Sequence, residues 1–243
     1  MGKTIKYAFV RSIPIMAGYI VLGTGFGILL DAGGYGPIWA LAMSVFIYAG
    51  SMQYVAVDLL TGGANLITVG LTTLMVNARH LFYSISMVES YKDLGKLKPY
   101  TIFGLTDEVY SIVCDVDDKG LPEGVEKNRY CFFLSAFCQS YWIIGSLIGS
   151  ILGGAVTYDF AGIEFSMTAL FVAAFVEQWG AVKNHIPAIT GVGVTLICLI
   201  IWGPASFLIP AMIGITIVLT VCKRLGFIGD TLQDDKSGGE ANV

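Results

Sequence analysis

Charge is scarce in this sequence. Only 13% of its 243 residues are Asp, Glu, Lys or Arg, and fourteen basic against eighteen acidic side chains leave a net charge of -4. No Lys/Arg-rich stripe is available to displace phosphate counterions, which excludes a nucleic-acid partner. Histidine is scarcer still, with His80 and His185 alone. No H-E-x-x-H, no G-x-S-x-G and no cysteine beside a histidine occurs, so the common hydrolytic and nucleophilic enzyme designs have no footing. The five cysteines (Cys114, Cys131, Cys138, Cys198, Cys222) show no C-x-x-C or Cys/His metal spacing. Four lie in or beside apolar runs and read as small core residues without disulfides. The expectation is a protein that is not an enzyme and holds no metal or cofactor.

What the sequence has instead is grease: 55% hydrophobic residues and a mean hydropathy of +0.73, beyond an ordinary soluble domain. A crossing needs about 20 largely apolar residues. Apolar runs punctuated by Gly and Pro mark about seven spans, at 8–30, 36–60, 65–88, 130–155, 164–182, 187–203 and 205–222. The expected fold is all-α, a polytopic transmembrane helix bundle occupying 1–225 as one membrane domain, followed by a polar, disordered tail at 226–243. Lys3, Lys6 and Arg11 ahead of the first apolar run resemble a signal sequence. No A-x-A-like site follows, so the run is read as the first helix.

Between the third and fourth runs lies one long polar stretch, Glu89 to Arg129. Its weakly apolar piece from Tyr100 to Cys114 contains Asp107 and Glu108. That piece reads as an interfacial or re-entrant helix shielded by protein. With seven spans the six basic residues of the stretch share a side with Lys183, Lys223 and Arg224, which favours that side as cytoplasmic. Lys3, Lys6 and Arg11 then fall on the opposite face, against the same rule. Either the first segment does not cross simply or another segment also crosses.

A faint repeat joins Gly23, Gly25 and Gly27 followed by F-I-Y-A-G-S-M-Q (Phe46 to Gln53) to Gly145, Gly149, Gly153 and Gly154 followed by F-V-A-A-F-V-E-Q (Phe171 to Gln178). With three spans between the copies they would lie inverted, as in many secondary transporters; chance similarity of glycine-rich helices is the alternative.

Polar groups inside the apolar runs are the candidate site. Asn77, Arg79 and His80 stand in the third run, where a cation costs about 2.5–3.5 kcal/mol on insertion scales and calls for an anion or a wet cavity. A guanidinium suits a carboxylate, either a substrate's or an internal acid's that merely holds helices together. Gly50, Ser51 and Gln53 in the second run allow close packing or an unwound, ligand-binding backbone. The run Gly23, Thr24, Gly25, Phe26, Gly27 is expected to break or thin its helix and bind substrate backbone groups. His80, Asp107, Glu108 and Glu177 are proton-coupling candidates, because burial holds a carboxyl's proton and imidazole titrates near neutrality.

Taken in order, G-T-G-F-G, Y-A-G-S-M-Q-Y (Tyr48 to Tyr54), N-A-R-H-L-F-Y-S (Asn77 to Ser84) and G-L-T-D-E (Gly104 to Glu108) resemble the AzlC family from about Ile13 to Arg224. N-x-R-H and T-D-E are the more specific pieces. The resemblance implies the large subunit of a branched-chain amino acid exporter, with methionine as a further substrate. It also implies a small AzlD-type membrane subunit as partner, proton motive force as the drive, and a multi-pass place in the inner (plasma) membrane. A passive channel, or a carrier for another small solute, is the alternative.

Overall fold

The computed structural model describes residues 1–154, 184–203 and 207–225, with isolated positions from 168 to 180. Among them every regular element is helical: α1 (Gly2–Ala32), α2 (Pro37–Phe46), α3 (Gly50–Thr61), α4 (Leu66–Asn77), α5 (Arg79–Met87), α6 (Lys98–Phe103), α7 (Asp107–Lys119), α8 (Lys127–Gly153), α9 (Ile186–Trp202) and α10 (Leu208–Arg224), with a 3-10 turn at Gly95–Leu97 before α6. The chain divides into two compact units, Met1–Ala169 and Leu170–Val243. The expected tail at 226–243 and most of the expected span at 164–182 lie outside the described residues.

The frame of the first unit is α1 against α8, both long and apolar enough to cross a membrane. At 1.5 Å per residue they measure about 46 and about 40 Å. They run parallel. Lys3 at the start of α1 donates to the carbonyl of Glu123 just ahead of α8, the Tyr7 ring meets Tyr130, and Asp31 near the end of α1 lies against Gly153 at the end of α8. Helix α1 is continuous through G-T-G-F-G, and even through Pro14. The expectation of a break there is therefore corrected: Gly23 and Gly27 serve helix packing. A Cβ on Gly23 would stand 2.9 Å from the Trp142 carbonyl, and one on Gly145 2.6 Å from that of Ile20. Those on Gly27 and Gly149 would be driven into the carbonyls of Ser146 and Thr24. Only helices without side chains on these faces approach so closely.

The expected span at 36–60 also proves to be something else. Pro37 opens α2 at its first turn, where a missing N–H costs nothing. Helix α2 descends from the Ala32 end of the frame until Gln139, midway along α8, donates to the carbonyls of Ser44 and Val45. The chain turns through Ile47, Tyr48 and Ala49, with Tyr48 at φ 44°. Helix α3 then climbs back: Gly50 lies under Trp142, the Tyr54 hydroxyl bonds the Leu22 carbonyl at 2.7 Å, and Thr61 reaches Gly33. This is a hairpin with both ends at one end of the frame. Hydropathy counts apolar residues and is blind to chain direction, which is why the run read as one crossing.

Asn65 caps α4 by accepting from the Thr68 N–H at 2.9 Å. Helices α4 and α5, separated at Ala78, together lead back along the frame. By Asp93 the chain is at the other end, where that residue's carbonyl accepts from Asn128 at 2.7 Å. From here α6 and α7 form a second hairpin. Tyr100 bonds Gln139 at 2.6 Å and Gly104 sits against Ser135, so the turn lies beside the middle of α8. Helix α7 returns, with Asp115 paired to Arg11 and Asp117 to Lys127. Tyr100 to Cys114 thus run along the upper half of one leg, round the turn and down the other, beside α8.

Inversion is present, but not between the expected copies. Since α1 and α8 are parallel, their glycine-bearing helices point the same way, and Glu177 and Gln178 of the second copy lie outside the described residues. The inverted pair is instead the two hairpins, which enter from opposite ends of the frame and meet at their tips, Tyr48 against Phe103 at 6.1 Å. In the second unit α9 and α10 pack together, with Gly214 of α10 against Val194 of α9.

Candidate functional site

Three helices begin where the hairpin tips meet the interruption between α4 and α5. Helix α3 starts at Gly50, α5 at Arg79 and α7 at Asp107. The opening turns of α3 and α7 present the positive ends of their helix dipoles. Arg79 adds a full cation at this point, and a cation away from bulk water demands an anion. Asp107 supplies it: Arg79 Nη1 donates to Asp107 Oδ2 at 2.6 Å. The other arm, Nη2, donates to Ser51 Oγ at 2.6 Å. Ser51 and Asp107 hold corresponding places, each in the opening turn of the returning leg of its hairpin. The two side chains of the ion pair are part-buried, with 28% and 34% of their surface exposed.

The tip between α6 and α7 is fixed by its own chemistry. Thr106 caps α7 through the Val109 N–H, and the acids Asp107 and Glu108 fill the favourable first turn. Tyr19 of α1 donates to Glu108 Oε2 at 2.6 Å, with its hydroxyl 2.7 Å from Thr106 Oγ1. The two acids therefore differ: Asp107 faces a guanidinium, Glu108 a phenol.

The remaining expected site residues divide sharply. Ser51, Arg79, Asp107 and Glu108 converge at the tips. Asn77 stands at the interruption, its Oδ1 buried without a hydrogen-bond partner, and His80 lies 3.2 Å from the Asn77 carbonyl through Nδ1 and edges against Tyr83. Gln53 is fully buried, accepting from the Trp142 indole at 2.9 Å and reaching Ser44, so it braces the first hairpin. Gly50 makes room for Trp142. Gly23, Gly25, Phe26 and Gly27 belong to continuous α1, and Phe26 is wedged between Tyr54 and Trp142. Sequence reading missed Tyr19, Tyr48, Gln139 and Trp142. The signal that marks Gln139 is an uncharged amide in the middle of an apolar helix; nothing comparable marks Tyr19.

The family model described as AzlC protein matches residues 14–156, more than half the chain and all of the site. The chain belongs to the AzlC family. Its AzlC relatives include the branched-chain amino acid transport protein AzlC of Bacillus subtilis, 43% identical over 219 residues, covering 90% of this chain and 85% of that one. An uncharacterized membrane protein of Haemophilus influenzae is 39% identical over 90% of this chain and 89% of its own. The inner membrane protein YgaZ of Escherichia coli is more distant, 27% identical over 68% of each. With such relatives and its apolar helices, this AzlC member is a membrane protein. No solved structure matches it.

Proposed function

We propose that this protein is a secondary transporter that exports branched-chain amino acids, methionine included, across the inner membrane, as the large subunit of a proton-driven pair with a small AzlD-type protein. The observation that carries the reading is Arg79, held between Ser51 and Asp107 where three helices begin. A substrate carboxylate fits the same fork that Asp107 occupies, with the same paired hydrogen bonds. Its arrival frees Asp107 to take a proton, so occupancy and protonation exchange at one guanidinium. Affinity for the anion comes from the cation and the helix ends together.

The proposed topology has six crossings and two re-entrant hairpins in place of seven crossings. The N-terminal end of the frame gathers Lys3, Lys6, Arg11, Lys92, Lys96, Lys98, Lys119, Lys127 and Arg129, whereas 30–65, which includes the opposite end, contains no Lys or Arg. Making 36–60 a hairpin brings the N-terminus to the cytoplasmic side with the long polar stretch and removes the conflict with the positive-inside rule.

The deciding experiment is counterflow of labelled leucine in proteoliposomes, with and without the small subunit and a pH gradient. A carrier concentrates label against unlabelled leucine and responds to the gradient. Downhill leak without counterflow would identify a channel and overturn the reading.

A further inference from the structure

One residue at the tips is costly and unexplained by the carboxylate site. Tyr48 adopts φ 44°, the left-handed region that a bulky side chain rarely enters. Such backbone persists where the surroundings impose it, often at ligand clamps. Its side chain is 95% buried, with 5% of its surface exposed, yet its hydroxyl closes no hydrogen bond within bonding distance. The Tyr19 phenol stands just beyond full bonding distance as a weak partner, and the Glu108 carboxylate is a further polar neighbour. A buried hydroxyl left unpaired costs about 1–3 kcal/mol, so a chain that holds one in place by strain keeps it for a visitor.

The chemistry of that visitor follows from the second acid. Glu108 is bonded through Oε2 by Tyr19, and a carboxylate has about four acceptor sites. It stands one residue along α7 from Asp107, which Arg79 already engages. An α-amino acid carries its ammonium one carbon from its carboxylate. The geometry points to Glu108 and the Tyr48 hydroxyl as the ammonium subsite: the carboxylate lies on Arg79 and Ser51, the ammonium donates to Glu108 and Tyr48, and the site selects zwitterions over simple carboxylates. This rests on the transport reading and adds to it the reason an amine is required.

Three solutes test it as competitors of labelled leucine counterflow by the full chain with its partner: leucine itself, 4-methylpentanoate, which lacks the amine, and 3-methylbutylamine, which lacks the carboxylate. Wild type is expected to prefer leucine to 4-methylpentanoate by about tenfold or more, as befits a hydrogen bond to a charged group. Tyr48→Phe and Glu108→Gln should each remove most of that preference by weakening leucine while 4-methylpentanoate competes as before. Equal weakening of both solutes in both variants would reduce these residues to scaffolding and overturn the subsite. So would an unchanged preference. If wild type shows no counterflow with any amino acid, the transport reading itself falls and the subsite with it, whereas counterflow with unchanged preference sinks the subsite alone.

Discussion

The α1–α8 pair and the cluster at the hairpin tips draw on the same small residues for opposite purposes. In the pair, Gly23, Gly27, Gly145 and Gly149 let two unbroken backbones touch, and Ser146 turns its hydroxyl onto its own helix at the Trp142 carbonyl. At the tips, Gly50 and Ser51 begin a helix, and the serine looks outward to Arg79. Small side chains seal one region and open the other, and the difference is whether the helix runs through them or starts at them.

The comparison breaks most severely in the pair. Gly149→Val drives side-chain carbon into the Thr24 backbone, which cannot step aside as a flexible side chain would. Overpacking costs about 1–3 kcal/mol even where neighbours yield. Loss of the monodisperse peak in size-exclusion chromatography is expected, while Gly18→Val, on α1 with nothing within 4 Å, elutes normally. A normal peak for Gly149→Val would contradict the packing account.

At the tips the effect should fall on transport and spare the fold. Arg79→Ala is expected to abolish leucine counterflow in protein that still elutes as wild type. Arg79→Lys keeps charge but loses the two-armed grip on Asp107 and Ser51, and should lower counterflow about tenfold or more. Retained transport by Arg79→Ala would remove the site from the cluster.

Gln139 links the two regions, since it stands on the frame and binds both hairpins. Gln139→Leu strands the Tyr100 hydroxyl and the carbonyls of Ser44 and Val45, at about 1–3 kcal/mol per unsatisfied group. Thermal unfolding should shift down by several degrees, with counterflow reduced as well. A variant equal to wild type in both would show that the tips stand without this brace. Tyr54→Phe removes one bond, to the Leu22 carbonyl, worth about 1 kcal/mol. It should cost a few degrees of melting temperature and leave transport intact.

Sidedness sharpens the comparison without perturbing it. In a background lacking the native cysteines, single cysteines at Lys3 and Lys92 should react with an impermeant thiol reagent from one side of the membrane and a cysteine at Gly63 from the other. Lys3 and Lys92 on opposite sides would restore 36–60 as a full crossing.

The legibility of these two regions in the sequence was unequal, and for physical reasons. A guanidinium in an apolar run announces its need for an acid, so Arg79 and the acids Asp107 and Glu108 were singled out before any geometry. Ser51 was named too, though nothing tied it to Arg79. Glycine carries no such message. The same G-T-G-F-G that thins a helix in one context packs it in another, and only the opposing Gly145 and Gly149, more than a hundred residues away, decide between them. The turn at Ile47, Tyr48 and Ala49 was hidden because its residues are as apolar as the helices it joins. Its one trace was indirect: basic residues that fell on the wrong side of a seven-span count.

The distance along the chain between the partners of the frame has a consequence for how the protein is made. Lys3 and the Glu123 carbonyl it binds are 120 residues apart. At about 5–20 residues per second, synthesis of that interval takes roughly 6–24 s. Throughout that time α1 sits in the bilayer with its side-chain-free face turned to lipid or to the insertion machinery. The hairpins are made in the interval, yet Trp142 and Gln139, on which they rest, are not. Both must wait until α8 arrives and locks everything before it in place.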